Sequence, residues 1–103
     1  MENNVSFELI LHAGNAMSLS MESLYDAREN RFEEAEEKLL QADKEINEAH
    51  KIQSDLLFKM ANNEKVEVDV LLVHAQDHLS MAMVTRNFAE EILCLRKQLN
   101  DKQ

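Results

Sequence analysis

The sequence predicts an all-α fold, a three-helix antiparallel bundle, on three observations. Proline is absent and Gly14 is the sole glycine. Glu, Leu and Ala dominate, with 45% hydrophobic and 30% charged residues, a balance that favours long helices over strands. Apolar residues return at steps of three and four along three long segments. The chain, residues 1–103, reads as a single domain of a size at which oligomerisation often supplements the core.

The first helix is expected over residues 5–28, where Phe7, Ile10, Leu11, Gly14, Met17, Met21, Leu24 and Tyr25 read as one buried stripe. Glu29-Asn30 interrupts the pattern. A second helix is expected over residues 31–62, through Phe32, Ala35, Leu39, Ile46, Ala49, Ile52, Leu56 and Met60, and so short a break makes the two an antiparallel pair. The acidic run Glu33-Glu34-Ala35-Glu36-Glu37 opens this helix, where the helix dipole favours negative charge, and reads as a solvated face. Residues 62–68 read as a loop, and Asp69 as the N-cap of a third helix that reaches about Leu99.

The third helix carries two apolar stripes. Val70, Met81, Val84, Phe88, Leu95 and Leu99 form one; Leu71, Ala75, Leu79, Ala82, Ala89 and Leu93 form the other. One stripe can serve the chain's own hairpin. The other needs a further partner, most simply more copies of the same chain in a cyclic oligomer.

Composition also excludes function classes. A single glycine cannot build a P-loop or a dinucleotide-binding turn, so any phosphate chemistry must use side chains. The net charge of -9 disfavours nucleic acid and anionic membrane as partners. One cysteine, Cys94, allows no intrachain disulfide, and neither end shows a signal-like or membrane-spanning apolar run, so the expected location is cytoplasmic. Cys94 reads as a packed thiol, the six methionines as core filling, and His12 and His50 as core-edge histidines.

The stretch Val73-His74-Ala75-Gln76-Asp77-His78 is the chemical centre of the sequence. On a helix His74, Asp77 and His78 converge, being three and four residues apart. Asp77 falls inside the first apolar stripe of the third helix. Around a rotational axis its copies would meet, and close carboxylates must share protons or hold a cation, for which oxygen ligands suit Mg²⁺ or Ca²⁺. An Asp at an exposed edge, or paired with a histidine, is the alternative. For the imidazoles three readings stay open: plain hydrogen-bonded histidines, metal ligation together with Asp77, or nucleophilic catalysis in which a neutral imidazole takes a phosphoryl group. A zinc protease is excluded, because Ala75 stands where its general-base Glu belongs.

Four segments resemble the lactose/cellobiose-type IIA components of the bacterial phosphoenolpyruvate-dependent sugar phosphotransferase system: Ile10-Leu11-His12-Ala13-Gly14-Asn15-Ala16, Phe32-Glu33-Glu34-Ala35-Glu36, Glu48-Ala49-His50-Lys51-Ile52-Gln53 and Leu71-Leu72-Val73-His74-Ala75-Gln76-Asp77-His78-Leu79. The resemblance implies a homotrimeric, nine-helix bundle. It implies a phosphotransferase relay subunit, phosphorylated on His74 by the histidine phosphocarrier protein and passing the group to a cysteine of the cognate IIB component. It implies that Asp77 holds a divalent cation, Mg²⁺, on the three-fold axis, and that Gln76 and His78 support the phosphorylated imidazole. Sugar choice belongs to the membrane IIC component, and the wording around His74 favours cellobiose-type members over lactose ones. Met17 stands where the family commonly has Arg. The competing reading is a non-enzymatic helical metal-binding or interaction module built on His74, Asp77 and His78.

Overall fold

A computed structural model describes the backbone of residues 2–102 and the side chains of residues 5–102. Three helices follow one another: α1 (Glu2–Arg28), α2 (Phe32–Ala61) and α3 (Val70–Asp101). They run up, down and up in an elongated bundle of 58 × 20 × 17 Å, with α1 packed along both of the others and α2 touching α3 more sparingly.

Both reversals of chain direction depend on asparagine. Asn30 and Asn63 take the left-handed conformation, with φ of 61° and 60°. Glycine usually fills this position after a helix, and asparagine tolerates it better than most residues. After α1, the N–H of Asn30 donates to the carbonyl of Ala27 and that of Arg31 to Asp26, at 3.0 and 2.9 Å. After α2, Asn63 donates to Met60 and Glu64 to Lys59 in the same pattern, at 3.1 and 2.9 Å. Two otherwise orphaned carbonyls are thereby satisfied at each helix end. The start of α3 is capped as expected, the Asp69 carboxylate accepting from the N–H of Leu72 at 2.8 Å.

The core differs from the expectation on α1. Phe7, Leu11, Met21 and Tyr25 are exposed, and the buried face is Ser6, Leu9, Ala13, Ala16, Ser20, Ser23 and Ala27. α1 lies against two helices at once, and small side chains let both approach closely, so the large residues are turned away. The methionines also depart from the core-filling reading: Met21, Met60, Met81 and Met83 are exposed, while Met17 packs partly buried against the core. Met1 lies outside the described residues. Cys94, expected to be packed, is an exposed free thiol.

α2 follows its expected stripe at Ala35, Leu39, Ile46 and Ala49, which are buried together with Ala42, while Phe32, Ile52 and Leu56 are partly buried. α3 resolves the choice between its two stripes. Ala75, Leu79, Ala82, Ala89 and Leu93 are buried against α1 and α2, with Leu72 buried in place of Leu71, which is only half-buried, while Val70 (86% exposed), Phe88 (65%), Met81, Val84, Leu95 and Leu99 face outward. Arg86 ties α3 to α2, its guanidinium meeting both carboxylate oxygens of Asp43 at 2.6 and 3.0 Å, with Glu90 at 2.8 Å.

At the α1–α2 turn, buried Asp26 accepts from Lys38 at 2.8 Å and from the Arg31 fork at 2.9 and 3.2 Å. The Lys38 bond and then the Arg31 bonds hold the Asp26 carboxyl below its ordinary value, and Asp26 in turn raises Lys38. A depressed carboxyl contributes stability that is fully present above its unfolded pKa, about 3.9, and is lost as pH falls through the lower folded value. The raised Lys38 contributes below its unfolded pKa, about 10.4, and loses that contribution as pH rises through the higher folded value. Thermal melts across pH are therefore expected to show Asp26→Asn losing stability at neutral pH and converging on the wild type in strong acid. A constant gap at every pH would contradict this account of the turn.

Candidate functional site

α3 presents His74 and His78 one turn apart on the same flank. Their Nε2 atoms are 3.1 Å apart, with ring centroids at 4.6 Å and planes nearly perpendicular at 83°. His74 is exposed and His78 half-buried. Two Nε2 atoms in hydrogen-bond contact require one to donate and one to accept. The other nitrogen of His78, Nδ1, is buried and has no partner among the described residues. A proton there would be an unsatisfied buried donor, which costs more than an unsatisfied lone pair. His78 therefore carries its proton on Nε2 and donates to His74. His74 Nε2 then holds the lone pair that accepts this bond, and its proton sits on Nδ1.

The other residues of the segment face elsewhere. Asp77 is exposed in the middle of the outward apolar stripe, with Val70, Met81 and Val84 around it. Gln76 turns toward α2, where Gln53 Nε2 donates to its Oε1 at 2.6 Å. This amide pair edges an open apolar crevice of about 300 Å³ between the end of α2 and the start of α3, lined by Leu56, Met60, Val66 and Leu72 among others. His74–His78, Asp77 and Gln76 thus occupy three different sides of α3. Among the described residues no three His, Cys, Asp or Glu side chains converge on one point. A metal held within one chain by His74, Asp77 and His78 lacks its ligand set.

Sequence reasoning missed Gln53. A polar residue beside a helical stripe carries no signal of a partner 23 positions away, and only the packing of α2 on α3 reveals it. His12 proves to be part of a brace: its Nδ1–H donates to Glu45 at 2.7 Å, and Asn15 donates to the other oxygen at 2.8 Å. Burial pushes the Glu45 carboxyl up, but the bonds from His12 and Asn15 outweigh it and hold the group below its ordinary value. His50 lies on α2 and joins none of these clusters. α3 carries no Lys or Arg before Arg86, so a phosphoryl group at His74 would find imidazole and amide donors on this helix rather than cations.

The structure is thus an all-α three-helix subunit with an exposed, hydrogen-bonded histidine pair on one flank of α3 and an outward apolar stripe beside it. The match to known proteins is specific. Residues 4–97 match the family described as PTS system, Lactose/Cellobiose specific IIA subunit. The lichenan-specific phosphotransferase enzyme IIA component of Bacillus subtilis is 39% identical over 99 residues, covering 96% of this chain and 90% of that protein. The cellobiose-specific EIIA component of Lactococcus lactis is 36% identical, covering 88% of this chain and 78% of its own length. Among solved structures, the cellobiose-specific enzyme IIA of Bacillus anthracis superposes with a TM-score of 0.94 at 43% identity, covering 97% of this chain and 92% of that one. The IIA(Chitobiose) protein solved in complex with HPr gives 0.83 at 33%, covering 94% of each chain. The chain belongs to the lactose/cellobiose-specific IIA family of the phosphotransferase system, and is a phosphotransferase component.

The tautomer assignment is directly measurable. Nitrogen-15 NMR of the imidazoles at a pH where both are neutral is expected to show the Nε2–H form for His78 and the Nδ1–H form for His74. The opposite pair of tautomers would remove the lone pair from His74 Nε2 and overturn the assignment.

Proposed function

We propose that the chain is a phosphoryl carrier in which His74 Nε2 accepts a phosphoryl group from the histidine phosphocarrier protein and passes it to a cysteine of the cognate IIB component. The observation that carries this reading is the exposed His74, whose Nε2 lone pair accepts from the Nε2–H of His78 at rest and is released for attack when that bond opens. In the first transfer the donor's P–N bond breaks as the P–N bond to His74 forms; in the second that bond breaks as a P–S bond forms on the acceptor. His78 supports both steps, since the proton it gives to His74 Nε2 at rest can move to a phosphoryl oxygen once that nitrogen is occupied. Transfer of this kind depends on positioning and on neutralising charge more than on covalent assistance.

The likeness to a chitobiose IIA protein solved with HPr supports the donor. A β-linked disaccharide of the cellobiose type is the favoured cargo of the associated IIC permease, supported by the relative and the solved structure named for cellobiose, beside relatives named for galactose and lactose at similar identity. Among the described residues no helix is long and apolar enough to cross a membrane. A carrier that meets donor and acceptor in turn would work on the cytoplasmic side of the bacterial membrane.

The assembly is a homotrimer with α3 innermost. Its support is the outward stripe of α3, where covering the remaining exposed surface of each large side chain contributes about 1 kcal/mol. On a three-fold axis that stripe brings three copies of Asp77 together, and hard oxygen donors with like charge fit a divalent cation such as Mg²⁺. Three Asp77 carboxylates would hold it, and it would neutralise their repulsion.

Incubation with phosphoenolpyruvate, the general phosphotransferase enzyme and the histidine phosphocarrier tests the carrier. Label is expected on His74, none on His74→Ala, and slower labelling of His78→Ala, by roughly tenfold or more for loss of one positioned donor. Labelling of His74→Ala at the wild-type rate would refute the assignment.

The assembly has its own test by sedimentation and thermal melts. A chelator is expected to destabilise the wild-type trimer, whereas Asp77→Leu is indifferent to chelation and at least as stable, because an apolar residue there needs no counter-ion. Val84→Asp is expected to weaken assembly. An Asp77→Leu protein that falls to monomers, or a wild type indifferent to chelation, would exclude the axial cation.

A further inference from the structure

The Gln53–Gln76 pair fixes more than a helix contact. Gln53 Nε2 donates to Gln76 Oε1 at 2.6 Å, which occupies the carbonyl end of the Gln76 amide and leaves its NH₂ as the end free to bond elsewhere. At about 100° per residue around α3, His74 and His78 lie about 60° and 100° to one side of Asp77, and Gln76 about 100° to the other. In any cyclic arrangement with Asp77 toward the axis, one flank of each copy meets the opposite flank of the next. The Gln76 flank of one chain is thereby brought to the His74–His78 flank of its neighbour. A phosphoryl group there adds close to two negative charges, and α3 offers no cation before Arg86. On α3 the groups that can meet that charge are neutral N–H donors, and an amide turned the other way would present a repelling carbonyl.

We propose that Gln53 is a positioning residue for phosphoryl transfer: by holding Gln76 Oε1 it turns the Gln76 NH₂ toward the phosphoryl group carried on His74 of the adjacent copy. This rests on the carrier and three-fold readings above. Gln53 touches no reacting atom. It sets the polarity of the amide that does.

Three substitutions at one position separate this role from packing. Gln53→Glu is nearly isosteric but only accepts when ionised, so it draws the Gln76 NH₂ to itself and turns the carbonyl outward. Gln53→Lys keeps a donor to Gln76, and Gln53→Leu leaves the amide unheld. The expected order of His74 phosphorylation rates is wild type, then Lys, then Leu, then Glu, with Glu slower than wild type by about tenfold or more, as for loss of an oxyanion donor, and with the melting temperatures of Glu and Lys close to each other.

Chain mixing then locates the effect. Gln53→Glu chains exchanged into an excess of His74→Ala chains place their His74 beside an intact Gln53–Gln76 pair, and their labelling rate is expected to return toward wild type. Equal rates for Glu and wild type, equal slowing by Glu and Lys, or no recovery on mixing would each overturn the proposal. A wild-type chain that takes no label from the phosphocarrier would instead overturn the carrier reading on which it stands.

Discussion

Everything distinctive about this protein depends on α3 having more apolar surface than its own chain can cover. The helix buries Ala75, Leu79, Ala82, Ala89 and Leu93 against α1 and α2 and still turns Val70, Met81, Val84, Phe88, Leu95 and Leu99 outward. α1 repeats the theme, spending small residues on the inner contact and keeping Phe7, Leu11, Met21 and Tyr25 outside. Apolar surface of this extent marks an interaction face.

The histidine pair sits on the seam between the covered and uncovered faces. His74 belongs to neither stripe, so it stays open to a partner, while His78 beside it is half-buried with a satisfied Nε2 and a dry Nδ1. That dryness selects the tautomer, and the tautomer leaves the lone pair on His74. Packing of the flank and the proton arrangement of the two imidazoles are therefore one constraint. Asp77 lies exposed among the apolar residues of the outward stripe.

Much of this was legible in the sequence. The absence of proline, the period of the apolar residues and the Asp69 cap located all three helices, and the two stripes of α3 could be read at 100° per residue. The His74–His78 contact follows from their spacing by one turn. The face of α1 was not legible, because periodicity finds large apolar residues, and α1 buries serine and alanine between two close neighbours. The exposure of Cys94 and of most methionines escaped for a related reason, since residue type alone does not say which stripe a subunit keeps for itself. Gln53 was invisible, its meaning lying in a contact between helices. Asn30 and Asn63 act where glycine is expected, and composition alone gives them no such part.

Native mass spectrometry of the protein after incubation with the phosphocarrier system reads assembly and modification in one spectrum. The account predicts a three-chain species carrying up to three acid-labile phosphoryl groups, each lost when the corresponding chain bears His74→Ala. A phosphorylated single chain that never assembles, or a trimer whose label persists in the His74→Ala protein, would contradict it.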